Sequence, residues 1–256
     1  MPMQLDTGAI KAESRSLLRT GSVNPFRMTL FYLLITLVLD MINSGVSYMI
    51  DSAGGFTVLS FSFVSILIGL VSLVLNAGYY CYCFGILRRE QMPYESLFDA
   101  FPFAGKVILL SIVEGIFIFL WSMLFVIPGI IAAYRYSFAM LNLCENPELG
   151  VMEALNLSKQ QTNGYKMQLF LLQLSFIGWS LLVLGIFLIY ELLIAALLPD
   201  SFLGIMFGSL LLSVLAAGVG VYLTPYLNLS ICRFYQLATA PQVNEPPHFD
   251  SWNDNF

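Results

Sequence analysis

Charge is scarce in this sequence. Of 256 residues only 11% are Asp, Glu, Lys or Arg, against roughly a quarter in an ordinary soluble domain. Eleven basic and sixteen acidic side chains cannot cover the water-facing surface of a 28.6 kDa chain. The shortage excludes a soluble globule, a disordered chain and a nucleic-acid binder. Histidine occurs once, at His248, so neither an H-E-x-x-H metal motif nor a histidine-based triad is available. Walker loops and dinucleotide fingerprints are missing too: Gly218 and Gly220 lack a third glycine and sit in an apolar run. The four cysteines, Cys81, Cys83, Cys144 and Cys232, make no disulfide framework, and Cys81-x-Cys83 reads as small apolar residues near a helix end. The expectation is a non-enzymatic protein without a metal or other cofactor.

What is present is hydrophobic: 58% of the residues, with a mean hydropathy of +0.80. A spanning helix needs about 20 mainly apolar residues. Residues 28–50, 56–87, 168–198 and 202–232 each meet that length. The stretch 106–144 as one helix would run ~58 Å, nearly twice a hydrocarbon core of about 30 Å. Pro128-Gly129 near its middle fits a type II turn, which divides it into spans 106–126 and 129–144. Six spans result. Lys11, Arg15, Arg19 and Arg27 precede the first; Arg88, Arg89, Lys106, Lys159 and Lys166 fall in connections on the same side. The connections at 51–55, 127–128 and 199–201 have no Lys or Arg. The bias of basic residues to the inner side of a membrane then puts both termini in the cytoplasm. Residues 1–27 are polar, and the apolar run after them has no small-residue cleavage site, so it reads as a retained span rather than a secretory leader.

The spans pair into three hairpins, each preceded by a short amphipathic segment. These are residues 6–20 with Ile10, Leu17 and Leu18 on one face, PYESLFDAF with Leu97, Phe98 and Phe101, and residues 147–163. In the last, Pro147 fits position N1, Gly164 fits C′, and Leu149, Met152 and Leu155 or Leu157 form the apolar face. Such helices are expected in the headgroup layer, apolar side down. The inner ends AGYYCYCFGILR, AAYRYSFAML and TPYLNLSICRFY each join a small residue or proline to tyrosine, as in three copies of one unit. Residues 1–237 thus read as one membrane domain. Residues 238–256, acidic and proline-containing, read as a disordered cytoplasmic tail.

Several local patterns coincide: LFDAF, LWSMLFVIPGIIAAYRYS, EALNLSKQQTNGYK, LSFIGW and the final TPY. Together they closely resemble the bacterial membrane family catalogued as domain of unknown function 975, from about residue 10 to 237. The likeness departs between the fifth and sixth spans, at FLIYELLIAALLPDSFLGIMFG. The IPGII turn is also similar to the membrane part ahead of some bacterial glycerophosphodiester phosphodiesterases. The resemblance implies a multi-pass protein of the bacterial plasma membrane and carries no activity or site.

Ionisable residues at membrane depth are the default functional candidates. Asp40, Glu114 and Arg135 form the expected polar cluster. At 1.5 Å per residue Glu114 and Arg135 lie ~12 and ~15 Å from their inner ends, which suggests an ion pair, with Asp40 as a second partner. Glu191 lies nearer the outer end of its span. Asn43, Asn76, Asn142 and Asn228 offer interhelical hydrogen bonds. Gly204-x3-Gly208 and Ala216-x3-Gly220 allow close helix packing, and Trp121 and Trp179 read as interfacial or packing aromatics. The expected fold class is therefore all-α: a six-span plasma-membrane protein in three hairpins, with amphipathic cytoplasmic helices that face the lipid bilayer or a protein partner. The role expected is structural or accessory. The rival is a transporter or permease subunit with a pathway lined by Asp40, Glu114 and Arg135.

Overall fold

The computed structural model describes residues 6–20, 25–52, 56–197 and 202–240. Among these the chain is all-helical, with α1 (Thr7–Thr20), α2 (Pro25–Ser52), α3 (Phe56–Leu87), α4 (Ala104–Leu124), α5 (Val126–Tyr136), α6 (Ala139–Glu145), α7 (Val151–Gln161), α8 (Lys166–Leu197) and α9 (Phe202–Thr239). Five helical segments are long and apolar enough to cross a membrane: Pro25–Val46, Ser62–Leu87, Tyr94–Leu124, Val126–Glu145 and Lys166–Tyr190. The side chains of Glu191, Gly204, Gly208 and Ala216 and the tail from residue 241 lie outside the described residues.

Local chemistry sets the boundaries. Pro25 opens α2, where its fixed φ suits a first helical residue. The uncharged α3 stops where Arg89 turns left-handed at φ 59. There the N–H of Glu90 reaches Gly85 O at 3.0 Å and that of Arg89 reaches Ile86 O at 2.9 Å. This Schellman pattern satisfies the last carbonyls of the helix.

The reversal between α4 and α5 falls one turn earlier than Pro128-Gly129. Phe125 alone is extended, at φ −161 and ψ 155, and α5 starts at Val126. Pro128 is then the third residue of α5, where an N–H has no intrahelical partner to lose. Gly129 is needed for space instead of for a turn: a Cβ there would collide with the Ser122 side chain on α4.

α2 packs on α3, α4 on α5 and α8 on α9, and α3 also touches α4, α6 and α9. Buried residues concentrate at one end of the bundle, the end that carries Arg88, Lys106, Lys159 and Arg233. One cluster gathers Leu75, Tyr79, Tyr82, Phe138, Leu141, Leu172, Phe176, Leu229 and Phe234. The other holds Val74, Ala77, Val107, Leu110, Ala132, Leu143 and Leu155. Residues 74–86 of α3 and the apolar residues of α6 serve both, so these two helices form the middle of the packing. At the opposite end large apolar side chains stand exposed, among them Leu37, Val38, Met41, Phe63, Ile66, Phe119, Met123, Leu188 and Leu192. So much exposed apolar surface fits lipid and not water.

The short segments do not lie apolar side down on the outside. α1 buries Ile10, Ser14 and Leu18 and packs on α9. The segment PYESLFDAF holds one 3-10 turn, Tyr94–Phe98, and a second, Phe101–Phe103, starts at its last residue, in place of a full amphipathic helix. It packs on α3 through Leu97, whose carbonyl sits against Gly78, while Phe98 and Phe101 stay exposed. α7 starts at Val151, after Gly150 at the N-cap position, with Pro147 left in the connection. It buries Ala154, Leu155 and Ser158 against α4, α5 and α6, and Met152 is exposed. Gly164 does adopt a positive φ, 87, shortly after its end.

Gly78 gives a test. A Cβ there would overlap the Leu97 carbonyl, a backbone atom that cannot step aside, whereas a Cβ at Gly69 of the same helix meets nothing within 4 Å. Gly78→Ala should lower the unfolding free energy in detergent by about 1–3 kcal/mol, read as a fall in Tm. Gly69→Ala should leave it unchanged or raise it by up to about 1 kcal/mol.

Candidate functional site

The polar chemistry of the described residues gathers at the charged end, around a gap in the helix that follows the α4–α5 reversal. α5 ends at Tyr136 and α6 begins at Ala139. The gap frees the Arg135 carbonyl and the Phe138 N–H, and α7 satisfies both. Ser158 Oγ donates to Arg135 O at 2.9 Å and accepts from Phe138 N at 3.1 Å. Thr162 Oγ1 lies 3.2 Å from the same carbonyl. Ser158 and Thr162 are both 0% exposed, one helical turn apart on the face of α7 that turns inward.

A second chain of bonds ties four helices together. Asn142 on α6, 1% exposed, donates through Nδ2 to Gln161 Oε1 at 2.9 Å and to Ala154 O at 3.4 Å, both on α7. The Tyr235 hydroxyl on α9 lies 2.8 Å from Asn142 Oδ1 and 2.6 Å from Glu145 Oε2. The other oxygen of Glu145 pairs with Arg88, just past α3, at 3.2 Å. Lys106 Nζ donates to Pro147 O at 2.6 Å, fixing the loop before α7 onto α4. A cavity of about 480 Å³ opens beside this network, lined by Asn142, Glu145, Gln161, Tyr235, Gln236 and Thr239. A smaller one of about 250 Å³ lies across the Arg88–Glu145 pair.

α1 is held at the same end. Glu13 and Arg233 pair at 2.9 Å. Lys11 Nζ stands 4.8 Å from the Phe176 ring centre, and the Arg15 guanidinium 5.6 Å from that of Tyr226. Partial burial pushes the Lys11 amine below its usual value. Such cation–π contacts contribute about 0.5–1 kcal/mol each at exposed sites.

The expected cluster of Asp40, Glu114 and Arg135 is not joined. Among the described residues the ion pairs are Arg88–Glu145 and Arg233–Glu13. Asp40 is exposed, and Glu114 and Arg135 are half-buried. The reason is register. Phe117, one turn past Glu114, stacks on Tyr136 with centres 5.8 Å apart and planes at 24°. It is therefore Tyr136 that faces α4, and Arg135, one residue back, is turned about 100° away around the helix. Of the four asparagines, Asn142 and Asn76 bond between helices, the latter to the Tyr32 hydroxyl at 3.3 Å. Asn228 bonds within α9, and Asn43 Oδ1 is buried without a partner. A Cβ at Gly220 would meet Leu33 of α2 at 3.8 Å, so this glycine packs within the chain. Trp121 and Trp179 are exposed. Sequence reasoning missed Ser158, Thr162, Glu145 and Tyr235. Their one visible signal was Ser158-x3-Thr162 on a helix already read as amphipathic.

Nothing in the site resembles a metal centre: no group of three or more His, Cys, Asp or Glu among the described residues could hold an ion. The arrangement can bind helices to one another, and its two cavities can admit small polar molecules.

Residues 123–241 match the family described as Protein of unknown function (DUF975), the family that the sequence resembles. The match takes in IPGIIAAYRY and LSFIGW, and with them α5 to α9 and the bonded residues Asn142, Glu145, Ser158, Thr162 and Tyr235. LFDAF, Asp40, Arg88 and Glu114 precede it. No curated protein and no solved structure matches the chain.

Two measurements check the geometry. Glu114→Gln and Arg135→Gln should act independently, so their stability changes in a double-mutant cycle add to within about 0.5 kcal/mol; a coupling well above that would mean that they pair. Tyr235→Phe removes the one hydroxyl proton shared by Asn142 Oδ1 and Glu145 Oε2 and should cost about 1–3 kcal/mol in the same unfolding assay.

Proposed function

We propose that the chain is a non-enzymatic, multi-pass protein of the bacterial plasma membrane with a structural or accessory role. It crosses six times as three hairpins, with the charged end and both termini in the cytoplasm. The observation that carries this reading is the use made of polar groups. At the charged end they bond to each other and to broken backbone, while Asp40, Glu114 and Arg135 are left unjoined along the spans. A transport pathway needs the reverse, convergent polar groups at membrane depth. The orientation rests on the grouping of Arg88, Lys106, Lys159, Lys166 and Arg233 at one end. α9, 38 residues long, supplies the sixth span; at ~57 Å it exceeds the bilayer core and leaves its last turns in the cytoplasm. There the outward face of α7, with Glu153, Asn156, Lys159 and Gln160, is open to a protein partner.

Cysteine labelling tests both parts. In a variant without native cysteines, Asn163→Cys should react with a membrane-impermeant maleimide only from the cytoplasmic side, and Ser52→Cys only from the outside. Cysteines placed next to Asp40 and Glu114, at Leu39 and Gly115, should stay unlabelled from either side. Rapid labelling of these two would reveal a water-filled pathway and make the transporter reading the correct one.

A further inference from the structure

The four cysteines, scattered in sequence, gather at the charged end. Cys144 of α6 and Cys81 of α3 line one cavity, and Cys232 of α9 lies near Cys83 and Cys81 of α3. All four are free thiols. The pairs differ in access. Cys83 and Cys232 are 1% and 0% exposed. Cys81 and Cys144 are partly exposed and line the same cavity of about 250 Å³, together with Gly85, Arg88, Met92 and Asp99. Cys144 Sγ donates to the Ala77 carbonyl at 3.4 Å, which holds it against α3 with its proton in place. Arg88 brings a guanidinium to the cavity wall while keeping its bond to Glu145.

We propose that Cys81 and Cys144 are a thiol–disulfide exchange site that accepts small disulfides through the cavity beside Arg88. The substrate class is a low-molecular-weight disulfide, R–S–S–R. Cys81 sulfur, as thiolate, attacks one sulfur of it; a Cys81–S–R bond forms, the S–S bond of the reagent breaks, and R–S⁻ leaves. Cys144 sulfur then attacks Cys81 sulfur, giving the Cys81–Cys144 disulfide and a second R–S⁻. The two thiol protons end on the two departing thiolates, so two protein thiols are oxidised and one disulfide is reduced to two thiols. Arg88 is the cation on the wall; it is shared with Glu145, and the carboxylates of Glu90 and Asp99 line the same cavity. The product staples α3 to α6 across the middle of the packing, beside the Arg88–Glu145 pair. The size of the cavity favours small disulfides, and the second pair, 1% and 0% exposed, is closed to such a reagent in the folded chain.

The test uses the full purified chain with 2-hydroxyethyl disulfide, followed by alkylation, chymotryptic cleavage that includes the bond after Tyr82, and peptide mass analysis. Two of the four thiols should be lost, with the peptides holding Cys81 and Cys144 joined and those holding Cys83 and Cys232 alkylated only after unfolding. Cys144→Ser should stop the reaction at a single adduct on Cys81, and Cys83→Ser should leave the joined product unchanged. Four thiols that all remain alkylatable would overturn the site, as would a joined product built on Cys83 or Cys232. A Cys81 adduct in the unsubstituted chain that never resolves would overturn it too. The mapping on the unsubstituted chain stands even if a variant fails to fold.

Discussion

A backbone N–H or C=O that loses its helical partner in apolar surroundings costs about 1–3 kcal/mol unless another donor or acceptor replaces it. The gap between α5 and α6 creates such a pair at once, the Arg135 carbonyl and the Phe138 N–H. Ser158 answers both with one hydroxyl, and the Thr162 hydroxyl, which donates at 2.8 Å to the Ser158 carbonyl, lies 3.2 Å from the Arg135 carbonyl. Much of the architecture depends on this repair. α7 must lie within the bundle, with Ser158 completely buried, and cannot float on a membrane surface. The loop before it must pass close to α4, where Lys106 holds the Pro147 carbonyl. With α7 on one side and α3 on the other, α6 is closed on both faces. Its one buried polar side chain, Asn142, must then be bonded in every direction, which Gln161, Ala154 and Tyr235 accomplish.

The distribution of packing follows from where these bonds lie. Apolar side chains gain nothing by associating within lipid, since the tails are as apolar as they are. Association there relies on close fit and on hydrogen bonds. The described halves of the helices away from the charged end have little of either, and their Leu, Ile and Phe residues face outward. At the charged end water is near, the hydrophobic effect acts again, and the bonded groups fix the geometry. The tight aromatic contacts sit there: Phe84 and Phe138 each meet the Tyr235 ring edge-on, 5.5 and 5.3 Å between centres.

How much of this could be read from the sequence depends on the range of the signal. Helices and their ends are written locally: the uncharged run of α3 stops at Arg88-Arg89, and Pro25 marks the start of α2. The family likeness was legible for the same reason, through contiguous words such as IPGIIAAYRY. The reversal at Phe125 was not, because Pro128-Gly129 offers a plausible turn and only the contact with Ser122 shows why glycine is required there. The gap at Ser137 carries no proline or glycine to announce it. Depth counting says nothing of the face a residue takes, and it took the stack of Phe117 on Tyr136 to show which residue faces α4. The thiol pairs were hidden for a related reason. Cys81-x-Cys83 looks poor in ligands because Cys144 and Cys232 arrive from helices far along the chain.

The three segments that precede α2, α4 and α8 illustrate how a pattern can be kept in packing and lost in chemistry. Each has an acidic residue followed by a small one, Glu13-Ser14, Glu95-Ser96 and Glu153-Ala154, and each small residue is buried. Each packs at the charged end of another helix: α9 for the first, α3 for the second, α5 and α6 for the third. The first segment thus closes onto the last helix, and the three contacts form a ring. Yet the Ser14 hydroxyl bonds only within its own helix, to Ile10 O at 2.8 Å, whereas Ser158 reaches across to another. The described part of α3 is continuous, and α9 runs on through Pro225, which takes the helical N–H partner from the Val221 carbonyl without dividing the helix. Between α5 and α6 the helix breaks in two, and there α7 supplies a hydroxyl that bonds on both sides of the break. The third unit differs from the first two at the gap it covers.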